Sequence, residues 1–405
     1  MLIHENLIHG LKVHLKLHKY FGTWPVDLIT RKGKDVAVLS PTNQLTWQWV
    51  KLFVASIFLV VLWVQIFSNR QGENLITTLE SLLYSCAFQS TIINKVTYLK
   101  RRHFSVELLN LILEYERNLK KFGDNKQYFR LERSSKALVC FIQFCATVAT
   151  PVLAVTYALI RWSNPCNSAM FLFKFLAECL PETGASTWRI SSLTQLALQI
   201  LFSTWLVFDM VGGHVFQVVE LYYLKSCCFN QYIKSIRMSL VQADFKMSYF
   251  LQFKQLQILL RLYNLIQQDV MKVVVCVTIF SFTVSLYALI YLGLGEQGIS
   301  IPQLMFLSCA LLDTFLAIVA CFGTFARVHS ESSLTISFMK KNLLPRLMQN
   351  HNLRQRKHLI VLISKYVNSF RVLKVYIGDI NYVEKFTPVV MLRFCLDQVV
   401  ALLLI

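Results

Sequence analysis

The sequence predicts an all-α, polytopic membrane protein with seven transmembrane helices, a cytosolic N-terminus and an extracellular C-terminus. Three observations predict it. Of 405 residues, 55% are apolar and only 16% charged, and the mean hydropathy is +0.49, a balance foreign to soluble globular chains. Seven apolar runs approach or exceed the ~20 residues that cross a ~30 Å hydrocarbon core. Lys and Arg fall almost entirely into alternate connections, which sets the orientation because positive loops resist translocation.

The runs are 49–67, 75–98, 137–160, 191–212, 273–295, 304–326 and 386–405. The second is the weakest, since it carries Glu80 and Lys95. The opening MLIHENLIHGLKVHLKLHK has no apolar core of signal-sequence length and no small-residue cleavage pattern, so the reading leaves residues 1–46 as a cytosolic segment. Residues 47–326 then hold the first six spans with their cytosolic connections, 327–385 form cytosolic anchor helices, and 386–405 form the seventh span. Of the 41 Lys and Arg residues, 32 lie in the N-terminal segment and the three long inner connections, against four (Arg70, Arg161, Lys174 and Arg189) in the alternate loops. The formal charge of +19 therefore reflects cytoplasmic loops and not a nucleic-acid surface.

Three inner connections carry helical periodicity. Leu108, Leu111, Ile112 and Tyr115 share one face within 104–121, as do Phe250, Phe253, Leu256, Leu260 and Tyr263 within 245–268. Within 358–380, Leu359, Leu362, Tyr366, Phe370, Leu373 and Ile377 line up opposite Lys365, Asn368, Arg371 and Lys374, predicting a helix over 359–380. Such helices either lie on the anionic inner leaflet, with membrane lipid as the partner, or continue the spans as a cytosolic bundle. Their narrow, aromatic-rich apolar faces favour protein contacts.

The seventh run, FTPVVMLRFCLDQVVALLLI, holds Arg393 and Asp397 near its middle. Each costs ~2.5–3.5 kcal/mol to insert on translocon scales, while an exposed i,i+4 pair returns only ~0.2–0.5 kcal/mol. The face bearing 393, 397, 400 and 404 is thus expected to meet protein or water. Two arrangements satisfy this: a pore lined by Asp397, with Val400 and Leu404 as a constriction that closes by dewetting, or a buried ion pair locking this span to its neighbours. Asp209, Asp313 and Glu80 carry the same two readings.

Near the outer ends of the spans stand Tyr84, Thr156, Tyr157, Gln195, Gln199, Phe202, Tyr287, Tyr291, Phe306 and Ser308. An apolar cavity with a few polar groups suits a small neutral ligand; aromatics at that depth also form interfacial belts. Tyr84, Tyr157, Gln199, Phe202, Tyr287, Tyr291, Phe306 and Ser308 are the ligand-binding candidates.

Enzyme chemistry finds no support. The nine histidines form no paired HxxxH clusters, and no phosphate loop, GxSxG, CxxC or cofactor-binding motif is present. The eleven cysteines are scattered without metal spacing. Cys166 and Cys179 share one outer loop, where a disulfide is permitted, and Cys227 and Cys228 stand where either acylation or packing is open to them.

Seven spans with the N-terminus inside invert the topology of a G-protein-coupled receptor, and neither a DRY-like triplet nor NPxxY is present. That topology, the long inner connections, LHKYFGTWPVD (17–27), FKQLQILLRLYN before span five and a short seventh span resemble the arthropod odorant and gustatory receptor superfamily over nearly the whole chain. The gustatory signature in span seven is Thr-Tyr, five apolar residues, then Gln-Phe. Here that register reads Asp397-Gln398, Val399 to Leu403, Leu404-Ile405, keeping the spacer and none of the marker residues.

The resemblance implies a chemosensory receptor subunit of the plasma membrane that acts as a ligand-gated, non-selective cation channel. It further implies a homo- or hetero-tetramer, an odorant or tastant bound in the outer half of each subunit, and a central anchor helix between 359 and 380. Arg393, Asp397, Gln398, Val400 and Leu404 become the pore candidates, with Asp397 as an acidic ring suited to cations. The rival readings are a secondary transporter, against which the halves show no matching pair of Gly/Pro-broken spans, and a metabotropic receptor, which topology decides.

Overall fold

The computed structural model describes residues 26–31, 34–39, 42–68, 75–122, 201, 205, 228–242, 247–294, 301–345, 357–379 and 381–404. The expected spans over 137–160 and 191–212 lie outside these residues, apart from the helical Leu201 and Trp205. The described chain is predominantly helical, as its periodicities require. Three of its helices are long and apolar enough to cross a membrane, over Leu45–Val64, Ser248–Tyr291 and Leu304–Asn342.

Helix α1 (Thr42–Ser68) has two unlike faces. Leu52, Ala55, Phe58 and Leu62 are buried, whereas Phe53, Ile57, Val60, Val64 and Phe67 form an exposed apolar stripe, the surface a helix presents to hydrocarbon. Its buried side packs on α2 (Leu75–Lys100), with Phe58 stacked on Phe88 at 5.0 Å. After a turn at Arg101, α3 (Arg102–Phe122) follows.

Helix α4 (Cys228–Gln242) precedes α5 (Ser248–Leu294), a 47-residue helix about 70 Å long at 1.5 Å per residue. The amphipathic connection expected over 245–268 and the span over 273–295 are thus one unbroken rod. Phe250, Phe253, Leu256, Leu260 and Tyr263 are all buried, in a core shared with Tyr115 of α3 and Phe229 and Tyr232 of α4. Tyr115 meets Tyr232 edge-on at 4.9 Å, and Phe229 meets Tyr263 at 6.1 Å. Helices α3, α4 and α5 therefore spend these faces on one another.

Helix α6 (301–345) comprises α-helical Ile301–Leu316 and Gly323–Phe338 with π-helical turns at Ala317–Phe322 and Met339–Leu343. The first π turn buries Ile318 and Phe322 and contacts the final helix. Helix α7 (Lys357–Ser369) leads to α8 (Thr387–Leu403).

Two segments depart from the all-α expectation. Within the N-terminal stretch, β1 (Val26–Arg31) and β2 (Lys34–Leu39) pair antiparallel, in keeping with the β-branched alternation of VDLITR and KDVAVL. An amide of α3 braces the hairpin: Ala37 N–H donates to Asn110 Oδ1 (2.8 Å), and Asn110 Nδ2 donates to Ala37 O (3.0 Å).

The second departure corrects the helix expected over 359–380, which ends at Ser369. Residues 370–375 run extended into a second hairpin, β3 (Tyr376–Ile377) and β4 (Asn381–Tyr382). Gly378 turns it with φ 69°, a conformation that only glycine adopts without strain. The buried face shifts accordingly. In α7 the buried side chains are Ile363 and Val367, while the expected Leu362 is 46% exposed. Phe370 and Leu373 are buried as expected, but from extended chain. Phe370 packs between Phe250 and Phe253, at 6.2 and 5.0 Å.

Candidate functional site

Helix α8 begins with Thr387 and Pro388, the latter suited to a first turn because its missing N–H has no intrahelical partner to lose. Glu384 N–H donates to Thr387 Oγ1 at 2.8 Å, steadying the entry. The helix then divides sharply. Met391, Cys395 and Val399, each four residues apart, are its buried positions on a helix that packs against α5 and α6, and Cys395 Sγ approaches Ile279 O of α5 at 3.8 Å.

The opposite stripe is open. Arg393 Nε and Asp397 Oδ2 stand 4.0 Å apart, with 85% and 68% of their side chains exposed. Gln398 is exposed as well, as are Val400 (56%) and Leu404 (82%). Among the described residues the pair does not lock α8 to α5 or α6; its tie runs along its own helix. The stripe thus offers, in sequence order, a cation, a carboxylate and two apolar side chains, whereas Gln398 lies about 100° around α8 from Asp397, towards Met391. Flanking it, Val389, Val390, Phe394 and Leu396 are exposed too, so an apolar surface borders the polar one on a helix of 17 residues.

The aromatic candidates come together in pairs. Tyr84 of α2 stacks on Phe306 of α6 with centroids 4.5 Å apart and planes 19° apart. Tyr287 and Tyr291, one turn apart on α5, stack at 6.0 Å. Between α2, α5 and α6, Leu83, Val284, Ala288 and Leu307 form a buried cluster against which Phe306 packs. The small Ala288, 0% exposed, allows the three helices to approach there. Ser308 is exposed and stands about 200° around α6 from Phe306, so it does not share that face. Tyr157, Gln199 and Phe202, like Cys166, Cys179 and Asp209, lie outside the described residues.

One group here escaped the sequence reading. Ser285 is fully buried and its Oγ has no hydrogen-bond partner, next in sequence to Val284 of the cluster. A serine within an apolar run reads as a packing residue, and only its burial without a partner marks it. An unpaired buried hydroxyl costs ~1–3 kcal/mol, and a polar atom of a ligand reaching it would recover part of that.

Two solved structures are similar to this chain over nearly its whole length. The insect olfactory receptor OR5 from Machilis hrabei in complex with eugenol aligns with a TM-score of 0.64 at 12% sequence identity, covering 98% of each chain. A second structure of the insect olfactory receptor OR5 from Machilis hrabei aligns with a TM-score of 0.62 at 12% identity, covering 96% of this chain and 99% of that one. No family model matches the sequence, and no curated protein does. The fold is accordingly that of the insect olfactory receptors, the fold the sequence resemblance implied.

Proposed function

We propose that this chain is a chemosensory receptor subunit of the arthropod odorant and gustatory receptor superfamily, acting at the plasma membrane as a ligand-gated, non-selective cation channel. The observation that carries the reading is the division of α8. Its seam of Met391, Cys395 and Val399 is buried within its own chain, while the Arg393–Asp397 pair is left facing outward from a single chain. Charges at mid-membrane must meet water or protein. Tetramerisation, with this chain alone or with sibling subunits, turns four such stripes onto a common aqueous axis.

In that arrangement Asp397 forms a ring of carboxylates that attracts cations and Arg393 holds each carboxylate in place, while Gln398, to the side of the stripe, faces the neighbouring subunit. Val400 and Leu404 form apolar rings beyond it, where a narrow path empties of water and closes. The exposed Val361 and Leu362 of α7, 53% and 46% accessible in one chain, supply apolar surface for subunit contacts in the cytosolic anchor.

A small neutral odorant or tastant enters the outer half of the bundle, bordered by Tyr84 and Phe306, with Tyr287 and Tyr291 on α5. The aromatic faces supply dispersion contact, and the buried Ser285 hydroxyl supplies a hydrogen bond. Tyr157, Gln199 and Phe202 complete the proposed lining. No cofactor takes part.

The test is whole-cell recording from cells expressing this chain, alone and with sibling subunits, exposed to a small-molecule panel that includes eugenol, the compound bound by the similar receptor. The reading requires ligand-evoked cation current that persists in excised patches without nucleotide. Current that appears only with added G protein overturns it.

A further inference from the structure

Besides its own short hairpin, the chain entering α8 is held by a row of polar groups on α5. Gln257 Nε2 donates to Arg371 O at 2.8 Å. Asn264 pairs with the extended backbone on both sides, its Nδ2 donating to Lys374 O at 2.8 Å and its Oδ1 accepting from Tyr376 N–H at 3.2 Å. Gly378 N–H donates to Gln268 O at 3.0 Å. Asp379 then accepts from Gln268 Nε2 through Oδ1 at 3.1 Å and from Lys272 Nζ through Oδ2 at 3.0 Å. Positions 257, 264, 268 and 272 are spaced by seven, four and four residues, which puts them on one stripe of α5.

Gly378 closes this arrangement. Its left-handed turn lies directly beneath Lys272, so that an added Cβ would fall on the Cε of that lysine. Lys272 also reaches Asp269 Oδ1 at 3.7 Å, and Asp269 Oδ2 is held by Arg101 Nη2 at 2.9 Å. Arg101 further donates from Nη1 to the carbonyls of Leu265 and Ile266. Arg101 stands at the inner end of α2, the helix that carries Tyr84 in its outer half. A continuous chain of contacts thus runs from α2 through Arg101, Asp269, Lys272 and Asp379 to a turn eight residues before Thr387.

We infer that Lys272 and Asp379, seated over Gly378, are positioning residues that hold the first turn of α8 in register with α5 and α2, and so couple the outer cavity to α8. The inference deepens the channel reading and rests on it for its link to gating. Each pair is half exposed and individually weak. Their effect lies in joining three elements at one point, where the loss of any member releases the same strap.

The experiment compares Lys272→Met, Asp379→Asn, their double variant and Gly378→Ala in the full chain, with Lys254→Met as an exposed control on the same helix. In detergent, amide hydrogen exchange at Leu373, Tyr376 and Gly378 is expected to quicken about tenfold in the clamp variants, through local opening. The quickening is expected to spread to Val390, whose N–H closes the first turn of α8 on Phe386 O. In recordings, the singles are expected to raise the half-maximal eugenol concentration about threefold with unchanged cation permeability ratios, and the double no further, because contacting groups are not additive.

Exchange that quickens in the strap but stops short of Val390 overturns the inference, as does a Lys254→Met variant behaving like Lys272→Met, or a double variant whose shift is the product of the singles. A wild type with no ligand-gated current but the expected exchange pattern upholds the positioning role and sinks the channel reading instead.

Discussion

Arg393 and Asp397 face each other across one turn of α8 at 4.0 Å, and 85% and 68% of their side chains remain exposed. Among the described residues neither binds α8 to another element. A charged pair so placed is stable in a membrane only if another body of protein or a column of water covers it, and the expectations below follow from that requirement and from the packing around it.

The Tyr84–Phe306 stack borders the proposed cavity, and such ring pairs contribute ~0.5–1.5 kcal/mol beyond their buried area. Tyr84→Ala and Phe306→Ala are therefore expected to raise half-maximal ligand concentrations about two- to tenfold, with cation permeability ratios unchanged. Concentration–response curves at matched surface expression check this. Ser308→Ala, on the other face of α6, is expected to leave the curve in place.

The core shared by α3, α4 and α5 makes a contrasting demand. Phe253 is fully buried against Phe370, whereas Phe53 is 67% exposed on the outward apolar stripe of α1. Phe253→Ala is expected to destabilise the chain by ~3–5 kcal/mol and to lower its melting temperature in detergent. Phe53→Ala is expected to leave that temperature within error of the wild type.

Two tyrosines of the same core give a pH signature. Burial pushes the Tyr115 and Tyr232 phenols well above the ordinary range, and Tyr232 donates a 2.8 Å hydrogen bond to Glu116. Because their folded values are raised, the stability they confer is complete below the unfolded value of about 10 and is lost as pH rises above it. Folded protein is expected to show two fewer phenolate absorbances than tyrosine content at pH 11 for this pair, with both appearing on alkaline unfolding. Tyr232→Phe is expected to remove one of them.

Asn110 braces the N-terminal hairpin through both backbone groups of Ala37, which is 2% exposed. Asn110→Ala leaves two buried polar groups unpaired, at ~1–3 kcal/mol each. Limited proteolysis is expected to cut the Arg31–Lys34 turn faster in this variant, with the pattern elsewhere unchanged. Asn110→Asp, which keeps the acceptor for Ala37 N–H, is expected to fall between.

What the sequence made legible was periodic, and what it hid was borrowed. The buried face of α5 from Phe250 to Tyr263 appears residue for residue, because a 3.6-residue repeat over 245–268 has a single way to bury itself. The extended strap after Ser369 does not appear, because the apolar spacing of Phe370, Leu373 and Ile377 suits a helix as well. Its backbone partners are Gln257, Asn264 and Ser332, more than 40 residues away in sequence. No local pattern reveals such bonds; the Gly378-Asp379 step between β-branched residues is itself a turn signal. In the candidate site, the residue types on α8 were readable from the cost of charge in hydrocarbon. The direction each faces came only from the packing of Met391, Cys395 and Val399. Ser285 was invisible until its burial was known.

The most direct test of the central claim is cysteine accessibility along α8. Single cysteines at 393, 397, 400 and 404, and at 391, 395 and 399, are treated during ligand application with a charged, water-soluble thiol reagent, on a background in which all eleven native cysteines are serine except Cys395 in its own test. The account requires modification to reduce current at 393, 397, 400 and 404 and to leave 391, 395 and 399 untouched. Equal reactivity on both stripes, or modification confined to the seam, would contradict it.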